Sequence, residues 1–126
     1  MNPIKWIEFP VSDMNRAVAF YNAVFGYDLK IIDLGALLMA QFPGDNASAG
    51  ASGALVYNPA FYNSDSEKGP LVYLDCENVT DKLNLIEAHG GKTIIKEKQI
   101  SPEYGSMGVA LDSEGNRIAL HANPKN

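Results

Sequence analysis

A single cysteine in 126 residues cannot close an internal disulfide, which fits a reducing cytosol. Runs of Lys or Arg are missing and the net charge is −5, so neither nucleic acid nor an anionic membrane is expected as a partner. No uninterrupted apolar stretch approaches the roughly 20 residues of a membrane-spanning helix. The opening Met1-Asn-Pro-Ile-Lys-Trp has no continuous apolar segment either. A phosphate-cradling loop is also absent, because Gly44, Gly50 and Gly53 lack the Lys and the following helix. These absences leave a soluble, cytoplasmic protein as the expectation. What the chain does have is apolar content: 46% of its residues are hydrophobic, enough to bury a core. Its length suits one domain, or two very small fused units sharing a core.

One stretch organises the rest, Val11-Ser-Asp-Met-Asn-Arg-Ala-Val-Ala-Phe-Tyr-Asn-Ala-Val-Phe-Gly26. Asp13 is placed to cap a helix. Met14, Ala17, Val18, Tyr21 and Phe25 recur at three- and four-residue steps and predict one apolar face. Gly26 supplies the left-handed residue that ends the helix. Ahead of it, Ile4 to Val11 reads as a strand in which Trp6 and Glu8 face one side and Ile7 and Phe9 the other. An echo follows about 65 residues later, from Cys76 to Gly91. At that offset Asp13 falls on Asn78, Met14 on Val79, Tyr21 on Ile86 and Gly26 on Gly91. Trp6 falls on Leu71, and Gly53 to Tyr57 lands on Ile118 to Ala122, so the register holds for a whole unit.

In chain order, strands are expected over Ile4 to Val11, Tyr27 to Ile32, Gly35 to Phe42 and Gly53 to Tyr57, with a helix over Met14 to Phe25. Pro43 to Ser52 is small and polar and predicts a loop. Asn58 to Gly69 reads as a linker in which Phe61 and Tyr62 are unusual for so polar a segment. The second unit predicts strands over Pro70 to Asp75, Lys92 to Ile100, Tyr104 to Leu111 and Arg117 to Ala122, and a helix over Val79 to His89. Gly105 and Gly108 are expected to bend the seventh strand, and Gly115 to take a positive φ in the turn Asp112 to Asn116. The tail from Asn123 should fray. The fold class is α+β, two tandem βαβββ modules: the first to about residue 58, a linker over about 59–69, and the second over about 70–122.

Val11-x-Asp13-x-x-x-Ala17-x-x-Phe20-Tyr21-x-x-x-x-Gly26 and Asp112-x-Glu114-Gly115-Asn116-x-Ile118, inside a doubled βαβββ plan, resemble the vicinal oxygen chelate superfamily. Glyoxalase I, bleomycin-resistance proteins and extradiol dioxygenases belong to it. The resemblance covers nearly the whole chain and implies a single glyoxalase-like domain over 1–126 whose modules form curved, cup-like mixed sheets with helices outside. It speaks to fold more than to reaction, since these motifs are structural. In metal-dependent members each module supplies two ligands, from its first and last strands. Carried across by motif, those positions are Trp6 and Leu71, Ala54 and Ala119. Indole, isobutyl and methyl groups have no donor suited to a divalent ion. A one-residue slip would bring Ile7, Val72 and Leu120 inward, which offer nothing more. No cofactor is expected, and no divalent metal.

Two residues along each strand from those positions lie Glu8, Val56, Tyr73 and His121, which share the strand face and should line the same cup. Glu8 and His121 are its titratable pair: His121 as a proton shuttle, with Glu8 orienting it or serving as base. Trp6, Ala54, Val56, Leu71, Tyr73 and Ala119 make the expected ligand pocket, with Tyr57, Phe61, Tyr62, Tyr104 and Met107 as further candidates. Cys76 reads as a buried structural thiol and His89 as a group near the helix C-terminus. Arg16 and Arg117 read most simply as surface charges, although either could hold a substrate carboxylate.

Three functions follow. A protein that binds a small aromatic or carbonyl-containing molecule without catalysis is preferred, because all four ligand positions are lost while aromatics remain near the cup. A metal-independent lyase or isomerase using Glu8 and His121 is the alternative. A metal-dependent lactoylglutathione lyase or dioxygenase is disfavoured. Open sheet edges, together with the superfamily's habit of pairing modules, predict a homodimer.

Overall fold

The computed structural model describes residues 3–44 and 51–125. The chain divides into two compact units, Met1–Ser64 and Asp65–Asn126, with the boundary inside the expected linker. Most of the expected Pro43 to Ser52 loop lies outside the described residues, as does the last residue of the tail.

The first unit runs β1 (Trp6–Pro10), α1 (Met14–Phe25), β2 (Ile31–Asp33), β3 (Leu38–Gln41) and β4 (Ser52–Tyr57). Its sheet has the order β1-β4-β3-β2, with β1 parallel to β4 and the other pairs antiparallel. The α1 bounds are those the sequence predicts. Asp13 caps it by accepting from the Arg16 amide at 3.1 Å, and Gly26 ends it at φ 72°. The buried stripe is Met14, Ala17, Phe20, Tyr21 and Val24, so Phe20 and Val24 replace the expected Val18 and Phe25, which flank it half-buried. Tyr21 meets Phe9 edge-on at 6.3 Å, which puts Ile7 and Phe9 on the helix side of the sheet. Trp6 and Glu8 therefore stand on the open face.

Two strands in this unit start three or more residues later than expected. Strand β2 starts at Ile31 rather than Tyr27, because the intervening segment is tied back to the helix. The Leu29 amide donates to Asn22 Oδ1 at 2.9 Å, and Tyr27 stacks on Phe25 at 5.4 Å. Strand β3 starts at Leu38 rather than Gly35, because residues 34–37 form the hairpin turn. There the Asp33 carboxylate accepts from the Gly35 amide, and the Leu34 amide donates to the Leu37 carbonyl.

The second unit repeats the plan with β5 (Val72–Asp75), α2 (Val79–Ala88), β6 (Lys92–Ser101), β7 (Gly105–Leu111) and β8 (Arg117–Ala122), in the order β5-β8-β7-β6. Asn78 caps α2 by accepting from the Asp81 amide at 2.9 Å. The helix ends at Ala88, one residue short of His89, and the left-handed glycine after it is Gly90 (φ 100°) rather than Gly91. Gly91 serves close packing instead: a Cβ there would lie 2.5 Å from both the Ile86 side chain and the Leu111 carbonyl oxygen. Gly108 plays the same part in β7, where an added Cβ would meet Val79 and Leu83 of α2 at 2.9 and 3.1 Å. Register shifts between Thr93 and Ser101 interrupt the β6 pairing with β7. The turn after β7 closes as predicted, with Gly115 at φ 81°.

Candidate functional site

Parallel pairing of β1 with β4 sets Glu8 opposite Ala54 and Pro10 opposite Val56, so all four share the open face of the first sheet. Ala54 and Val56 are buried, covered by the chain itself. Trp6 is 42% exposed and Glu8 is exposed beside it. The Trp6 indole N–H donates to Glu8 Oε2 at 3.0 Å. The Tyr62 hydroxyl donates to the other oxygen, Oε1, at 2.5 Å. One donor thus sits on each carboxylate oxygen, and both donors are aromatic. Burial pushes the Tyr62 phenol well above its ordinary pKa, and the hydrogen bond to Glu8 and that group's negative charge push it further.

Tyr62 reaches Glu8 because the chain turns at Asn58, whose carbonyl accepts from the Phe61 and Tyr62 amides at 3.0 and 3.2 Å. Phe61 leans on Tyr62 with ring centroids 5.0 Å apart and is itself 77% exposed. Sequence reasoning singled out this aromatic pair in a polar linker but not its partner. A bond spanning 54 residues leaves no local pattern.

In the second unit, Tyr73 pairs with Ala119 and Asp75 with His121, and β7 adds Met107 and Val109 to the same open face. Leu71 packs on Met107, Val109 and Ala119 there, and Tyr73 is exposed above them. His121 Nε2 lies 2.6 Å from the Tyr104 carbonyl oxygen. A carbonyl only accepts, so this hydrogen bond puts a proton on Nε2. Tyr104 is held in turn by the Ser101 hydroxyl, which accepts its amide hydrogen at 2.9 Å. Arg117 Nη2 donates to the Gly69 carbonyl at 3.0 Å, while its Nε is buried with no hydrogen-bond partner among the described residues.

The predicted residues therefore fall into two groups. Trp6, Glu8, Ala54 and Val56 share one open face in the first unit; Leu71, Tyr73, Ala119 and His121 share one in the second. Glu8 and His121 belong to different units, and each is engaged within its own. Among the described residues no three His, Cys, Asp or Glu side chains gather closely enough to hold a metal ion. Cys76 is buried, which raises its pKa and suits a packing role. A polar recess of about 360 Å³ lies elsewhere in the second unit, lined by Glu77, Asn78, Glu97 and Gln99. There Glu97 accepts from the Thr80 amide and hydroxyl, which uses it in holding the start of α2.

No helix among the described residues is long and apolar enough to cross a membrane. No curated protein matches the sequence. Solved structures do match in fold. Glyoxalase I from Zea mays superposes with a TM-score of 0.73 at 17% identity, over 98% of this chain and 45% of that one, so the chain spans less than half the maize enzyme's length. TnmS3, an antibiotic binding protein from Streptomyces sp. CB03234, gives 0.65 at 21% identity over 98% and 97% of the two chains. A glyoxalase-related enzyme from Fulvimarina pelagi gives 0.67 at 17% identity, over 98% and 89%. The sequence itself fits the model of one family along residues 3–120, and with the doubled strand–helix plan already in view the chain belongs to the Glyoxalase/Bleomycin resistance protein/Dioxygenase superfamily.

Proposed function

We propose that this chain binds a small aromatic or carbonyl-containing molecule on the open face of its first sheet, without a divalent metal. The observation that carries the reading is the Trp6 indole, exposed on that face and fixed by its N–H to Glu8. A ring held in place loses little freedom when a planar ligand stacks on it. The four positions where metal-dependent relatives would place ligands are Trp6, Ala54, Leu71 and Ala119. None has an imidazole, carboxylate or amide oxygen to give, so their chemistry does not fit the ion. The antibiotic-binding description of TnmS3 agrees with a binding role on this fold.

The metal-independent lyase or isomerase using Glu8 and His121 has less support. Glu8 and His121 lie in different units, and each is hydrogen-bonded to a tyrosine of its own unit. We also infer that the chain pairs with a second copy. Elemental analysis of the purified protein together with a thermal-shift screen tests the main reading. Stabilisation by planar aromatic compounds, with no stoichiometric metal, supports it. A stoichiometric divalent ion, or turnover that depends on one, overturns it.

A further inference from the structure

We propose that the Glu8 face is a site for an organic cation, an aromatic molecule carrying a protonated or quaternary nitrogen. The proposal rests on the binding role inferred for that face and names the chemical class of its ligand.

A carboxylate has about four lone-pair sites, and the Trp6 and Tyr62 hydrogen bonds use one on each oxygen. The remaining ones face solvent, since Glu8 is exposed. Both donors are neutral, and no Lys, Arg or His side chain pairs with Glu8 among the described residues. Its negative charge is therefore oriented by two aromatic residues but not cancelled. Around it the open ring surfaces belong to Trp6 and, through Tyr62, to Phe61. Ring faces attract cations, most strongly where indole contributes. A carboxylate edged by indole and phenol rings thus offers an ammonium group a charge and quadrupoles together. A neutral aromatic would meet only the rings, and an anion would be repelled. The net charge of −5 adds a long-range field of the favourable sign.

Trp6 is the sole tryptophan, so its fluorescence reports on the site directly. The probes are phenyltrimethylammonium and tert-butylbenzene, which share a shape and differ in charge. Titrations use the full chain and Glu8→Gln. Saturable quenching by the cation, at least tenfold weaker for the hydrocarbon and for Glu8→Gln, is the expected result. Should Glu8→Gln fail to fold, salt dependence in the unaltered chain decides: affinity for the cation must fall with ionic strength, and affinity for the hydrocarbon must not. Equal affinity for the two probes, or affinity unchanged by both substitution and salt, overturns the cation assignment and leaves the binding role standing. If neither probe saturates, the cation assignment and the binding role fall together.

Discussion

Tyr62 donates its hydroxyl hydrogen to Glu8 Oε1 at 2.5 Å, joining the chain after β4 to the first strand of the same unit. The donor comes from a turn anchored on the Asn58 carbonyl, and the acceptor from a strand also gripped by Trp6. A short hydrogen bond to an ionised acceptor is among the stronger kinds. It fixes the carboxylate rotamer and keeps the linker's aromatic pair beside the open sheet face. Any binding at this face starts from groups already in position.

Tyr62 should ionise above the ordinary tyrosine range in the folded protein. Burial, then the Glu8 hydrogen bond, then its charge all favour the neutral phenol. The unfolded chain would ionise this group near pH 10. Above that pH the unfolded state releases a proton that the folded state keeps, so this contribution to stability is whole below about pH 10 and declines as pH rises further. Ultraviolet titration should show a phenol ionising above the ordinary range that Tyr62→Phe removes, and Glu8→Gln should lower it. Tyr62→Phe should cost about 0.5–1.5 kcal/mol at neutral pH and flatten the alkaline loss. A Tyr62 that titrates near pH 10 would contradict the hydrogen bond.

Local chemistry was legible in the sequence, and long-range pairing was not. Asp13, the apolar steps and Gly26 mark α1 to the residue, because cap, stripe and left-handed stop all lie within one stretch. The offset of about 65 residues sets Glu8 on Tyr73 and Ala54 on Ala119, and the two sheets pair Glu8 with Ala54 and Tyr73 with Ala119 alike. It fails where the halves close their helices differently, with Gly26 answered by Gly90 instead of Gly91. The start of β2 was hidden because Asn22, seven residues before Leu29, takes an amide that would otherwise join the ladder. Tyr62 and Glu8 meet only through the folded path of the whole unit, and no periodicity encodes that.

Gly53 allows β1 to lie close against β4. A Cβ added there would sit 2.2 Å from the Ile7 carbonyl oxygen, a backbone atom that cannot swing aside. Gly53→Ala must therefore shift β1, the strand that bears Trp6 and Glu8. Overpacking of this kind typically costs about 1–3 kcal/mol. Thermal unfolding should move down by roughly 3–6 °C per kcal/mol at this chain length. Trp6 fluorescence should change with it. An alanine variant with unaltered melting and emission would show that the strands are not so tightly set.

Asp112 holds the turn between β7 and β8. Its Oδ1 accepts the Glu114 and Asn116 amides at 2.8 and 2.9 Å, and its Oδ2 accepts the Asn116 side-chain amide at 3.1 Å. All three residues are buried. Asp112→Ala strands those donors and should cost about 2–4 kcal/mol. Asp112→Asn keeps an oxygen for the backbone amides and sets an amide against an amide only at Asn116. It should lose about half as much. Denaturant unfolding of the two variants checks the order, and equal losses would mean the backbone amides contribute little.

The edge strands bear on assembly. In the first sheet β1 and β2 are the edges, and in the second β5 and β6. Strand β6 carries Lys92, Lys96 and Lys98 and breaks its pairing with register shifts, features that discourage another strand from adding. Strand β2 is short and ends on Asp33, but Ile31 and Ile32 are exposed on it, with Leu34 exposed just beyond. Exposed isoleucines on an uncovered edge favour addition of a second copy, and a homodimer through β2 is the expected outcome. Sedimentation equilibrium should then give twice the 13.7 kDa chain mass. Ile31→Lys combined with Ile32→Lys should return the monomer with its melting temperature little changed, since neither side chain is buried within the chain. A 13.7 kDa species alone at micromolar concentration would reject the dimer, and a dimer surviving the double substitution would reject β2 as its seam.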